Sequence, residues 1–324
     1  MRLRVPGLLV VMVIALALAG QARAATTLPS LSAADILSQF NAVVTGNFTS
    51  TSDVEGRLAV GGNMTGGATF NLNPEATASA YGAVNVYGNV SSGNYNVNNA
   101  GKVDVKGTNS GTFNLNGGGS ISTTALSNSN FTSTFATPLN ALSSQLASLT
   151  ANNTLPTVTN NTSNNVDIKA TTVNSLGQAI FDVTAAQLEQ FSSFYVDFGG
   201  STTTTAIFNV SGNYTQNANF EKATDAIDSQ VIWNFTNATS VSLNGFDGTV
   251  LAENAAVTNS SALNGDLYAA SYNGNGELHD HPFTGTLPAA SPAPMRPLGH
   301  SLAGLAMLGV VGGLGVARRR RDDA

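Results

Sequence analysis

Glu277, His279 and His281 alternate near the end of the chain, and their types and spacing could do metal chemistry. On a strand, alternate side chains leave the same face ~6.5–7 Å apart. A His-x-His pair with a carboxylate can ligate zinc or another divalent ion. The plainer account is that this segment closes the last strand layer and its side chains bond to neighbouring loops. A second polar group, Asp53, Glu55 and Arg57, alternates in the same way. Calcium generally needs about six or more oxygens, and two carboxylates fall short, so a local ion-paired face is expected there. For catalysis no residue is assigned. Gly-x-Ser-x-Gly, Gly-x-x-x-x-Gly-Lys-Ser/Thr and His-Glu-x-x-His are all absent. The lack of cysteine removes thiol chemistry, disulfides and Cys-ligated metals. A pair of acids for glycoside hydrolysis stays open, because carboxylates are numerous. Beyond the divalent ion, no cofactor is expected.

Short strands must position these groups. In Asp53–Asn63, Val54, Gly56, Leu58 and Val60 fall on one face at period two, with Asp53, Glu55, Arg57 and Ala59 on the other. Gly61-Gly62-Asn63 tolerates positive φ, so a turn is expected. Val84 and Val86 recur as Val103 and Val105, 19 residues on; Tyr95 and Val97 recur as Phe113 and Leu115, 18 residues on. Two interleaved series imply coils of about 19 residues, each giving more than one strand, and Val231 to Val250 repeats the spacing of 19. Ser32–Asp35 is expected to cap a short helix through Ile36, Leu37 and Phe40, and Thr184 with Gln187 another. Thr137-Pro138 opens a longer helix, whose Leu139, Leu142, Leu146 and Leu149 form a single apolar stripe. That stripe is expected to pack on the β stack. The fold class is therefore all-β with minor helix: a β-solenoid with one long helix packed alongside, the stack being interrupted by the helix and then resumed.

Composition agrees. Apolar residues are 42% of 324 and charged residues only 10%, with 36 asparagines and 33 glycines. This favours turns and short strands over long helices. Between Ala25 and Met295 the chain has five basic residues against 17 acidic ones, a net −12. Such a segment is repelled by phosphate backbones, so no nucleic-acid partner is expected. Thr202–Thr205 contains Thr-x-Thr, which suits an ice-facing strand, but it does not recur at 19 residues. Exposed Asn and Thr rows would equally meet polysaccharide.

The ends add export and anchoring. Residues 1–24 have a basic start, an apolar run and Ala22-Arg-Ala24, the features of a cleaved signal peptide. Residues 25–290 then form the ectodomain. Residues 291–324 hold a proline linker, an apolar stretch from Leu298 to Ala317 long enough to span a membrane, and Arg318–Arg321.

Ser52–Asn63, Val231–Phe235 with Gly248–Ala252, and Gly276–Phe283 together resemble the choice-of-anchor A family of bacterial surface proteins. The tail resembles the PEP-CTERM type, read in Gram-negative bacteria by an inner-membrane sorting enzyme of exosortase type. It has Pro292-Ala-Pro294 where that motif has Pro-Glu-Pro, so simple membrane retention stands beside sorting. The resemblance implies an adhesive, ice-binding-like β-solenoid. The expectation is a secreted, cell-surface or membrane-anchored, non-enzymatic adhesin contacting surface polysaccharide or extracellular matrix. The alternatives are a carbohydrate-active enzyme on the same scaffold and an ice-binding protein.

Overall fold

The computed structural model describes residues 28–289, apart from 75–76, 159–164 and 221–226. The expected signal peptide and membrane segment lie outside the described residues. Among those described, no helix is long and apolar enough to cross a membrane. The chain divides at Ala289 into one large unit and a second from Ala290 to Ala324.

The large unit is mostly β, about 40% strand and 12% helix. Its ladders are parallel, which requires each strand to be followed by a long return. The main sheet has 14 strands. In space its path runs from Ser120–Ser122 through Lys102–Val105, Val84–Val86 and Leu58–Val60 to Ala42–Val44. It continues through Leu267–Gly274, Thr249–Asn259, Val231–Phe235 and Thr205–Ser211 to Gln178–Thr184. The chain thus starts in the middle of the stack and builds outward to one end. It then crosses to the other end and builds back until Leu267 lies against Ala42. A resumed stack is present, but it grows from the far end toward the start.

The expected pairings Val84–Val103, Val86–Val105, Tyr95–Phe113 and Val97–Leu115 all occur. The uniform period of 19 does not. Ala42 pairs with Leu58, Leu58 with Val84, and Ala179 with Ala206. Val250 faces Trp233 rather than Val231. Unequal returns are tolerated because only the strands must stay in register, while loops absorb the difference.

Where the helical layer covers the main sheet, as at Ala42–Val44, Leu58–Val60, Val84–Val86 and Val231–Phe235, the strands are buried on both faces and do not alternate in polarity. One face points into a core in which Phe181, Phe208 and Trp233 stack at 4.5 and 4.0 Å. The other presents Val43, Ala59, Ile180, Ile207, Ile232 and Leu251 to the helical layer. Leu139, Leu142 and Leu146 are buried against it and Leu149 is partly buried, as the stripe requires. The helix is not long. It is a π-helical turn, Thr132–Ala136, running into an α-helix, Thr137–Ala147, sixteen residues in all. Thr137 is not its cap: the helical turn starts earlier, where the Ser133 amide donates to Asn130 Oδ1. At 1.5 Å per residue it crosses about five strand spacings. Both shorter helices have their capping boxes, at Ser32–Asp35 and Thr184–Gln187.

Residues 53–60 do not form one strand. Val54 bridges Phe70 and Leu278 on one sheet, and Leu58–Val60 belongs to another. The chain turns between them at Gly56, where a Cβ would lie 2.6 Å from Asp280 and 2.7 Å from Asn41. At the next corner Gly46, Gly62, Gly88 and Gly107 stack so closely that a Cβ on any later one would meet the carbonyl of the one before. The following asparagines form a ladder: Asn63, Asn89 and Thr108 donate their amides to the side chains of Asn47, Asn63 and Asn89 at 2.8–2.9 Å. Close stacking, rather than positive φ, selects Gly62.

Candidate functional site

The alternation at Glu277, His279 and His281 stops after two residues, because the strand is only Leu278–His279. His279 Nε2 lies 2.9 Å from Glu277 and its Nδ1 lies 2.6 Å from Asn264 Oδ1. Asn264 in turn donates to Asp247 Oδ1 at 2.8 Å. A polar chain therefore runs across three neighbouring strands from exposed Glu277 to buried Asp247. His281 turns away and pairs with Asp228. The expected three-ligand face is thus divided. Among the described residues no three His, Cys, Asp or Glu side chains are grouped to hold a metal ion.

Asp53, Glu55 and Arg57 meet that same segment. Leu278 donates to the Asp53 carbonyl, and Glu55 donates to the Leu278 carbonyl. The Glu55 carboxylate accepts from the Asp280 amide at 3.0 Å. Arg57 donates to the Gln39 carbonyl and lies 5.6 Å from the Phe40 ring centroid. Asn41 ties the junction: it donates to the carbonyls of Gly265 and His279 and accepts from the Gly56 amide. Two motifs more than 200 residues apart therefore form the seam where the first and last circuits of the chain meet. Burial, then the nearby Glu55 charge, pushes the Asp280 carboxyl up to about 7. The hydrogen bond to Asp228 raises His281 above its ordinary value.

A different surface carries the repetitive chemistry. Thr215, Ser242, Thr258, Asn273, Thr49 and Thr65 are register partners on six successive parallel strands. Each follows a buried core residue, such as Tyr214, Val257 or Phe48, and each is exposed or half-exposed. The Thr49 and Thr65 hydroxyls are 2.7 Å apart. The row spans about 24 Å at the usual strand spacing. Thr202–Thr205 is not part of it: Thr203 and Thr205 are buried and bonded to Ala170 and Thr286. The sequence hides the row because its strands are not consecutive in space and their separations differ. The only signal was a polar residue after each short apolar strand start.

A family model described as "Putative Ice-binding-like adhesive domain" matches residues 33–280. No curated protein and no solved structure matches the chain.

Proposed function

The chain belongs to the family of ice-binding-like adhesive domains, and we propose that it acts as a non-enzymatic adhesin displayed at a bacterial surface. In this reading the parallel strands are the coils of a β-solenoid of choice-of-anchor A type. The solenoid is a rigid rod that lays one flat side on a surface polysaccharide or matrix component. The tail after Ala289 would hold it at the cell, by sorting or by simple retention. The observation that carries the reading is the registered row from Thr215 to Thr65. Hydroxyl and amide groups at fixed spacing match a polymer with repeating hydroxyls. Each contact is weak, but a row adds them on one rigid body without further ordering cost.

The test is retention of the purified full chain, in detergent, on an array of surface polysaccharides and matrix proteins. Saturable retention on a polymer, without release of new reducing ends, is expected. Release of reducing ends would replace the adhesin with the carbohydrate-active enzyme. The same hydroxyl row also suits an ice surface, so thermal hysteresis is measured in parallel. Hysteresis at low protein concentration, with no retention on the array, would favour ice as the ligand.

A further inference from the structure

We propose that the open end of the strand stack is a self-association site, through which two copies of this chain join as a closed dimer. The outward half of the stack ends at residues 107–122, whose strands Thr112–Leu115 and Ser120–Ser122 are terminal in their sheets. Ile121 continues the core column of Leu58, Val84 and Val103, and Phe113 stacks on Tyr95 at 5.1 Å. Yet Ile121 is 44% exposed, and Phe113 and Leu115 are only half-buried, because no further circuit covers them among the described residues. Residues 75–76, 159–164 and 221–226 belong to other circuits. The backbone is open there too. Thr112 and Asn116 donate their amides inward, to the Gly93 and Val97 carbonyls, so by alternation Phe113 and Leu115 turn theirs to the open side. The other end of the main sheet is sealed. The Ile180 carbonyl accepts from the Asn152 and Asn153 amides, its own amide donates to Asn152 Oδ1, and Ala179 and Phe181 are fully buried.

Charge selects the occupant. No acidic or basic residue occurs from Gly107 to Val166, although the segment from Ala25 to Met295 carries a net −12. Proteins ordinarily guard an exposed strand edge with charges, and this edge has none. A second copy meets here without the repulsion that the rest of its surface exerts. Open and sealed ends do not complement each other, so like ends meet and the assembly closes at two. The edge also sets the register. Pairing Phe113 with the partner's Leu115 antiparallel satisfies the outward N–H and C=O groups of both, and places Asn114 directly opposite the partner's Asn114. An amide carries donor and acceptor and so complements itself. Asn114 already continues one amide ladder, donating to Asn96 Oδ1 at 3.0 Å. Phe113, Leu115 and Ile121 of both copies then share one core across the join. Residues 107–122 supply 16 positions a side, below the roughly 20–30 of a standard interface. Half-dissociation on the order of micromolar is therefore expected.

Dimerisation through this end does not depend on what the surface row binds. Sedimentation equilibrium of the full chain in detergent, across the micromolar range, tests it. A monomer–dimer equilibrium is expected, with nothing larger. Asn114→Asp sets two carboxylates about 5 Å apart and should weaken the dimer at least tenfold. Thr112→Glu is the matched control. Its carboxylates would each face the partner's Asn116 and stand about 14 Å apart, beyond the ~8 Å screening length, so the dimer should persist. Mixing the Asn114→Asp and Asn114→Lys chains should restore association as a heterodimer, which requires position 114 to meet itself. Circular dichroism should be unaltered in all of them, because both positions are exposed. Three results overturn the proposal: a wild-type monomer throughout, association of equal strength in wild type and Asn114→Asp, or open-ended growth past two. Hydrogen exchange explains the first of these. Protected Phe113 and Leu115 amides in a monomer would mean that one of the chain's own ends covers the edge.

Discussion

Asp280 holds a proton in the folded chain up to about pH 7, because it is buried above Gly56 and faces the Glu55 carboxylate. In the unfolded chain an aspartate releases that proton near pH 4. The folded state therefore binds the extra proton between these values, and stability falls as pH rises from about 4 to about 7. His281, raised by Asp228, acts in the same direction: its contribution is full below the ordinary histidine range and is lost as pH climbs through its folded value. Asp280→Asn should raise stability by about 2–4 kcal/mol at pH 8 and leave pH 4 almost unchanged. Urea midpoints at the two pH values check this, and a variant as unstable as wild type at pH 8 refutes it. Gly56→Ala should cost about 1–3 kcal/mol by overpacking against Asp280 and Asn41, measurable in the same titration. At this scale the sequence was partly legible. Glu277 and His279 are partners as their spacing required. Asp228, which takes His281, is 53 residues away and outside any local pattern.

The helix illustrates what periodicity can and cannot say about an element. Leu139, Leu142 and Leu146 announced an apolar stripe, and it covers the isoleucines of three adjacent strands. The stripe did not show that the helix is also held by buried amides. Ser143 Oγ donates to Asn234 Oδ1 at 2.7 Å, and Asn234 Nδ2 donates to the Ser143 carbonyl and to Asn209 Oδ1. Asn209 then donates to the Leu146 carbonyl at 2.9 Å. These asparagines sit in apolar strands, and only the assembled sheet shows why polar residues are tolerated there. Asn234→Ala should cost about 2–4 kcal/mol, because Ser143 and Asn209 both lose a buried partner. Ser143→Ala alone should cost less, and the double variant less than the sum, with a coupling of about 0.5–3 kcal/mol. Strict additivity in denaturant unfolding would show that the network does not act as a unit. The strand repeats were likewise legible only where neighbouring circuits are consecutive and equal, as at Val84 and Val103. Ala42 lies between Leu58 and Leu267, an order that no local spacing encodes.

At the scale of the whole chain, net charge constrains what the proposed adhesin would bind. Between Ala25 and Met295 five basic residues stand against 17 acidic ones, so the net charge repels a polyanion. A neutral polymer meets no such barrier, and its retention should vary little from low to high salt, since screening has nothing to remove. On the adhesive proposal, the hydroxyl row would set where contact occurs. Thr49→Glu combined with Thr258→Glu places like charges on two strands of the row. Retention on the neutral polymer should fall about tenfold or more, equivalent to at least 1.4 kcal/mol. Melting should shift little, because Thr258 is exposed and Thr49 is half-exposed and loses only its hydroxyl contact with Thr65. Thr112→Glu, exposed on a different sheet, adds a charge without touching the row and separates a local effect from a global one. If Thr112→Glu reduces retention as much as the double variant, net charge governs adhesion. If only the double variant does, the registered row is the contact surface, and the outward-then-inward order of the strands is what assembles it.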